Sequence, residues 1–263
     1  MKPGARVLKH ELDNLRRSRW VWGYALLLLL LTDALLRFGG GGPRVVVSLL
    51  NVVLLFVPLV SLVFGAMYLY GAREFIELLL AQPMRRPALF VGLYGGLSTS
   101  LAAAFAIGVG APFLWGARGD GSVVGPLAML MMVGVLLTFA FVALAFLIAL
   151  LFQDRAKGLG AAIAVWFTAT ALYDALLVFV VTAFSDYPLE TPLIGLTLLN
   201  PVDLGRMLLL LQVDTAALMG YTGAVFEKFF GSRAGLVLAA GALIGWTILP
   251  FWLGLRRFRM KDF

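Results

Sequence analysis

Two aspartates lie inside long apolar stretches of the sequence, where few charged residues occur. Asp33 follows Trp20 by 13 residues, and Asp174 follows Lys157 by 17 residues. At a helical rise of about 1.5 Å per residue, each lies roughly 20–25 Å along its stretch. A carboxylate at that depth is costly, so each must face protein or water. Two interpretations are open: the aspartates line an ion or substrate path, or they are hydrogen-bonded polar residues within the helix packing. We expect Asp33 to pair with Arg37, which lies one helical turn later.

The side chains that enzymes and metal sites use most are scarce. The chain has no cysteine and one histidine, His10, which excludes disulfides, thiolate ligands and paired histidine ligands. The methionines at 129–132 have no histidine or cysteine beside them, so we assign them to packing. Tyr173 and Asp174 match half of an intramembrane aspartyl protease signature, and the Gly-x-Gly-Asp half is missing. We predict a non-catalytic chain with no metal or cofactor of its own.

Composition assigns the chain to the membrane-embedded class, and membrane-spanning helices must position its polar residues. Of 263 residues, 62% are hydrophobic and 13% are charged, with a mean hydropathy of +0.97. A spanning helix needs about 20 apolar residues. We predict an all-α membrane protein with a single domain over residues 1–263. Its six transmembrane helices cover residues 20–36, 45–70, 88–114, 123–152, 158–184 and 234–255, after an N-terminal amphipathic surface helix at 2–19.

The distribution of basic residues predicts the orientation. With the N-terminus in the cytoplasm, the cytoplasmic segments hold fifteen lysines and arginines and the outer segments hold six. The positive-inside rule therefore predicts a multi-pass protein of the bacterial or archaeal cytoplasmic membrane, with both termini inside. The net charge of +7 is interpreted as contact with anionic membrane lipid, not as nucleic-acid binding.

The segment between the second and third spans, residues 71–87, is one of two informative connections. It reads as a short amphipathic helix that ends before Pro83 and is followed by Arg85 and Arg86. Such a helix can dock into a groove of a cytoplasmic partner, and a helix lying on lipid headgroups is the alternative.

The other informative connection is the long outer segment 185–233. Its apolar pieces at 204–213 and 216–226 are each too short to span, so we predict short outer-leaflet helices that enter the membrane and return. Asp203, in the turn Asn200-Pro201-Val202-Asp203, is the predicted N-cap of the first.

The sequence resembles a known family at both segments. Arg73-Glu74, Glu77-Leu78-Leu79-Leu80 and Gln82-Pro83 look like the ABC-2 type permeases, the six-span subunits of ATP-binding cassette transporters. The outer segment, with Asn200-Pro201-Val202-Asp203 and residues 217–226, is similar to the permeases of nitrous-oxide-reductase maturation transporters. The resemblance implies a homodimer, a cytoplasmic ABC ATPase and a periplasmic copper-maturation protein. It also places Asp33 and Asp174 near a shared outer vestibule between two subunits.

The chain has no phosphate-binding loop, so ATP and Mg²⁺ belong to the partner ATPase. We expect the ATPase to contact residues of the inner loops. These are Arg73, Glu74, Glu77, Gln82, Asp154 and Arg155. We expect the periplasmic partner to contact the outer segment at Asn200, Asp203, Arg206, Tyr221, Glu227 and Lys228.

The predicted function is to couple the ATPase to export, or to remodelling of a periplasmic partner in copper-site maturation. An exporter of lipid, polysaccharide or drug on the same scaffold is the first alternative. An ATPase-independent scaffold or secondary transporter is the second, and Asp33 and Asp174 are the residues that would serve it.

Overall fold

The predicted all-α fold is confirmed. A computed structural model describes residues 18–39, 43–81, 85–116, 123–184, 190–212 and 233–261, which are 94% helical and contain no strand. The helices are α1 (Arg19–Phe38), α2 (Pro43–Gly71), α3 (Arg73–Leu80), α4 (Arg86–Gly116), α5 (Val124–Leu151), α6 (Arg155–Phe167), α7 (Tyr173–Ala183), α8 (Glu190–Leu198), α9 (Pro201–Gln212) and α10 (Arg233–Met260). The predicted surface helix lies almost wholly outside the described residues, as do His10 and the predicted helix at 216–226.

Six of these elements are long and apolar enough to cross a bilayer. They are α1, α2, α4, α5, the composite of α6 and α7, and α10. The six predicted spans are confirmed, with ends within a few residues, except that the last helix continues to Met260. The fifth span has an irregular centre, because a π-helical turn, Thr168–Leu172, joins α6 to α7.

The fourth span, α5, lies at the centre of the bundle. It packs against α2, α4, α6, α9 and α10, and it is the most buried of the six spans. Its sequence contains no charged residue, so every face can lie against other helices without leaving an unpaired charge. The fifth span is the least buried, and its apolar side chains are largely exposed on the outside of the bundle.

Glycines allow the helices to approach closely at several crossings. A Cβ atom on Gly108 of α4 would lie 2.7 Å from the carbonyl oxygen of Ala25 in α1. A Cβ atom on Gly65 of α2 would lie 2.5 Å from the Cβ atom of Ala145 in α5. Cβ atoms in folded proteins essentially never come this close to another heavy atom. The helices can therefore approach to this spacing only because the two glycines have no side chain.

An aromatic cluster fills the space between α4, α5 and α10. The ring of Phe90 lies 5.7 Å from that of Phe146, 5.5 Å from Phe251 and 5.3 Å from Phe258, measured between centroids. Tyr94 lies 4.8 Å from Phe251. Aromatic rings at these separations attract one another beyond their burial, which fixes the relative positions of three spans.

The two ends of the bundle differ in charge. We call the end formed by residues 71–81, 85–86, 152–157 and 256–261 the basic end, because arginine and lysine dominate it. The other end holds Asp33, Arg37 and Trp115.

The connection between the fifth and sixth spans contains a bent helix pair. The axes of α8 and α9 differ by 111° across a short break at Leu199 and Asn200. Helix α9 matches the predicted helix at 204–213, whereas α8 was not predicted. Helix α9 is buried along nearly its whole length and packs against α2, α5 and α10. Helix α9 therefore lies inside the protein, whereas α8 is partly exposed. The pair is called the hairpin below.

Candidate functional site

Helix α3 presents a mixed acidic and apolar face at the basic end. It follows α2 directly, and the Ala72 amide donates a hydrogen bond to the Tyr68 carbonyl oxygen at the junction. Ile76 is fully buried, which holds the helix against the bundle. The opposite side exposes two carboxylates and two apolar side chains. These are Glu74, Glu77, Phe75 and Leu78.

Arg73 has a different position from the two glutamates. Its guanidinium lies over the Tyr70 ring at 4.8 Å, and its Nη2 atom lies 3.5 Å from the carbonyl oxygen of Phe152. The Tyr70 hydroxyl donates to the same carbonyl at 2.9 Å. Phe152 follows the last residue of α5, where helix carbonyls lack partners within the helix and cations are favourable. Arg73 therefore joins α3 to the end of the central span.

A second set of contacts joins the start of α4 to the end of α10, and the end of α10 to the end of α5. Arg86 Nη1 donates to the carbonyl oxygens of Arg259 and Lys261, at 3.0 and 2.8 Å. Lys261 Nζ donates to the Leu150 carbonyl oxygen at 3.0 Å. Burial lowers the pKa of the Lys261 ammonium, and the charge of Arg73 lowers it further. The basic end is thus a set of helix C-termini held by cations from neighbouring elements.

The remaining inner-loop predictions fall beside this network. Asp154 is the N-cap of α6, with its Oδ1 accepting a hydrogen bond from the Lys157 amide at 2.8 Å. Asp154 and Arg155 are both exposed. Gln82 lies outside the described residues. Sequence reasoning did not single out Tyr70 or Lys261, because their partners are backbone carbonyls on other helices and leave no pattern in the sequence.

The N-terminus of α9 is capped by Asn200, which corrects the assignment of Asp203. The Asn200 Oδ1 atom accepts a hydrogen bond from the Val202 amide at 3.1 Å. Pro201 occupies the first helical position, where its missing N–H costs nothing, and Asp203 is the third residue of the helix. Asparagine and aspartate are almost equally good N-caps, so the sequence alone does not separate them.

Asn200 also ties the hairpin to the fifth span. Its Nδ2 atom donates to the carbonyl oxygen of Ala169 at 2.8 Å and to Asp203 Oδ2 at 2.9 Å. Ala169 belongs to the π-helical turn, and such turns recur at functional sites. Four residues further on, the Tyr173 hydroxyl donates to the Leu196 carbonyl oxygen at 2.5 Å.

An ion pair completes this junction. Arg206 Nη1 and Nη2 donate to the two carboxylate oxygens of Asp174, at 2.8 and 2.9 Å. Asp203 Oδ1 lies 3.3 Å from Arg206 Nη1. We call Asp174, Asn200, Asp203 and Arg206 the hairpin cluster. Sequence reasoning named all four but assigned Asp174 and Arg206 to different roles, because the two lie 32 residues apart.

The two intramembrane aspartates occupy separate ion pairs. Asp33 Oδ2 lies 2.7 Å from Arg37 Nε, which confirms the predicted pair. The Trp115 indole N–H donates to Asp33 Oδ1 at 3.1 Å, so α4 also contributes. Whether both aspartates line a vestibule between two subunits stays a prediction.

Burial limits the predicted contacts with an outer partner. Asn200 and Asp203 are 2% and 1% exposed, so a partner cannot reach them in this conformation. Arg206 is partly exposed, although Asp174 engages its guanidinium. Tyr221, Glu227 and Lys228 lie outside the described residues. Within the described ranges, no three histidine, cysteine or acidic side chains form a group that could hold a metal ion.

The comparisons with known proteins agree with this architecture. Residues 48–263 match the family described as ABC-2 family transporter protein. The match covers most of the chain, so the chain belongs to the ABC-2 family of transporter permeases. The chain is similar to two proteins named probable ABC transporter permease protein NosY. It is 27% identical to that of Pseudomonas aeruginosa and 26% identical to that of Stutzerimonas stutzeri; both alignments cover 94% of this chain and 92% of the relative.

Proposed function

We propose that this permease transmits the work of a cytoplasmic ABC ATPase from α3 to the opposite face of the membrane. The face of α3 supports this most directly. Two exposed carboxylates beside Phe75 and Leu78 suit a protein groove better than lipid headgroups, because the negative potential of the cytoplasmic leaflet repels carboxylates. In this proposal Glu74 and Glu77 contact the ATPase directly, together with Gln82, Asp154 and Arg155. Arg73 transmits the movement, because it already contacts the central span.

The route from α3 to the hairpin runs through contacts at the basic end and along the central span. Arg73 and Tyr70 hold the end of α5, Lys261 joins α10 to that end, and Arg86 joins α4 to α10. Helix α5 in turn packs along α9 of the hairpin. A push on α3 therefore reaches the hairpin through one central helix, without crossing a flexible loop. We propose that two permease copies and two ATPases, with both termini in the cytoplasm, perform this movement together.

We further propose that the system serves copper-site maturation of nitrous oxide reductase. The similarity to the two NosY permeases supports this, as does the resemblance of residues 200–226 to permeases of such systems. Copper is then handled by a periplasmic partner, and this chain supplies movement. The proposed contacts with that partner are Tyr221, Glu227 and Lys228.

Charge reversal on α3 tests the docking surface. Glu74→Lys with Glu77→Lys is expected to abolish co-purification of the ATPase from native membranes in mild detergent, since both carboxylates face outward. Asp120→Lys with Asp186→Lys makes the same change of charge in loops predicted on the other face, and it should leave co-purification intact. ATPase retained by the α3 variant would refute the docking assignment.

The assignment to nitrous oxide reductase needs a separate measurement. In cells that depend on this chain, the α3 variant is expected to lower the copper content of purified nitrous oxide reductase, while the loop variant leaves it normal. Normal copper content in the α3 variant, despite lost ATPase binding, would remove the maturation role and leave an exporter as the function. Stimulation of ATP hydrolysis by a transported lipid, polysaccharide or drug would identify that exporter.

A further inference from the structure

The hairpin cluster contains two carboxylates and one guanidinium, and the guanidinium contacts Asp174 more closely than it contacts Asp203. We propose that the cluster is a proton-binding site, in which the buried carboxyl group of Asp203 holds one proton while Asp174 and Arg206 form an ion pair. The ligand is a hydrogen ion from water, and binding forms one O–H bond with no redox change. This inference stands independently of the partner and substrate proposed above.

Geometry assigns the guanidinium to Asp174. Arg206 Nη1 and Nη2 each donate to one oxygen of Asp174, at 2.8 and 2.9 Å, which is the bidentate arrangement that binds a carboxylate most strongly. Asp203 shares only Nη1, at 3.3 Å. The charge of Arg206 is therefore balanced by the charge of Asp174, and an ionised Asp203 would add a second negative charge with no cation of its own.

The two oxygens of Asp203 have different environments. Oδ2 accepts a hydrogen bond from Asn200 Nδ2 at 2.9 Å. Oδ1 is buried and accepts no hydrogen bond from the described residues. Asp174 Oδ1 and Asp203 Oδ1 both approach Arg206 Nη1, at 2.8 and 3.3 Å, so the two carboxylates lie beside each other. A proton on Asp203 therefore supplies a donor where two acceptors otherwise face each other.

Among the described residues, no further positive charge faces the cluster to compensate a second negative charge. The charged or titratable groups that face Asp203 are Asp174, Arg206 and the Tyr173 hydroxyl. The described parts of α2, α5 and α10 that pack against α9 bring apolar side chains to it. Asp203 is 1% exposed, and a second ionised carboxylate at such a site, with one guanidinium shared between two carboxylates, carries a large desolvation cost. Neutralisation by a proton removes that cost.

The site connects proton release to movement of the hairpin. Asp203 lies on α9, and Asp174 lies on the fifth span just past the π-helical turn. Separation of α9 from that span would admit water to Asp203, and the carboxyl group would then ionise. Alkaline conditions should therefore favour the separated arrangement, while acid favours the joined one.

Infrared titration of the full-length chain in lipid nanodiscs tests directly whether Asp203 is protonated. The C=O stretching band of a protonated carboxyl group is separate from the bands of ionised carboxylates. Wild type is expected to show that band near neutral pH, and Asp203→Asn is expected to lack it. Asp174→Asn should also lack it, because Arg206 then has Asp203 as its only carboxylate. Asp33→Asn is the matched control and should keep the band, since Asp33 already has Arg37 and Trp115 as partners. No band in wild type, or a band that survives in Asp203→Asn, would overturn the proposal.

The pH dependence of stability gives an independent arm. In the unfolded chain Asp203 has an ordinary aspartate pKa of about 4, so it loses its proton above that pH. The folded state keeps the proton, and its stability therefore falls as pH rises. Between about pH 5 and about pH 8, the melting temperature of wild type should fall relative to that of Asp203→Asn. Parallel curves would contradict proton binding. Stabilisation of wild type by Na⁺ over choline at constant pH, absent in Asp203→Asn, would replace the proton with a metal cation.

Discussion

Replacement of Arg206 by methionine tests how strongly the hairpin is held to the fifth span. The substitution keeps an unbranched side chain and removes two hydrogen bonds to Asp174, of 2.8 and 2.9 Å. Breaking a buried ion pair from one side costs about 3–5 kcal/mol, because the other charge stays behind. The side chain of Asp174 is 38% exposed, so solvent screens part of that cost. We expect the free energy of unfolding to fall by about 2 kcal/mol.

Equilibrium unfolding in mixed detergent micelles, followed by tryptophan fluorescence, measures this change. Arg37→Met is the matched control, because it removes an ion pair of 2.7 Å whose arginine is 69% exposed, and its effect should stay close to the error of the measurement. The double variant Asp174→Asn, Arg206→Met should recover about 1 kcal/mol of the loss, because no charge is stranded. An Arg206→Met effect no larger than that of Arg37→Met would refute the role of this pair.

Further outcomes follow from packing and from the basic end. Gly205→Ala places a Cβ atom 2.7 Å from Val133 Cγ1, so the free energy of unfolding should fall by about 1–3 kcal/mol in the same unfolding assay. The control Gly241→Ala meets nothing within 4 Å, so it should leave the free energy of unfolding unchanged or raise it by up to about 1 kcal/mol. Equal effects of the two substitutions would contradict the close approach of α9 to α5. Tyr70→Phe removes the 2.9 Å hydrogen bond to the Phe152 carbonyl and should cost about 1 kcal/mol. Hydrogen exchange should then speed up at the last turn of α5, and unchanged exchange there would show that this bond does not hold the helix end.

The spans were predictable from sequence because the bilayer imposes a length and a composition on them. A run of about 20 apolar residues is a local property, and the six runs are interrupted by charged or glycine-rich connections. The amphipathic nature of α3 was equally local, since its charged and apolar residues alternate at helical spacing. Helix α8 was missed because Glu190–Leu198 is too short and too evenly apolar to show a face.

Pairing within one helix was also accessible to the sequence. Asp33 and Arg37 lie one turn apart, so any helix through both residues brings them together. Trp115, which also bonds to Asp33, comes from α4, and no local sequence pattern predicts that contact.

The sequence by itself determined that this chain spans a membrane six times, which charged residues those spans carry, and that it resembles ABC-2 permeases. Only the tertiary structure decided which of those charges meet. Arg206 pairs with Asp174 because the hairpin folds back into the bundle, and Asn200 rather than Asp203 caps α9 because its amide also reaches the π-helical turn. Hydropathy acts along the chain and can be read from it, whereas these contacts join residues about 30 positions apart and exist only once the helices have packed.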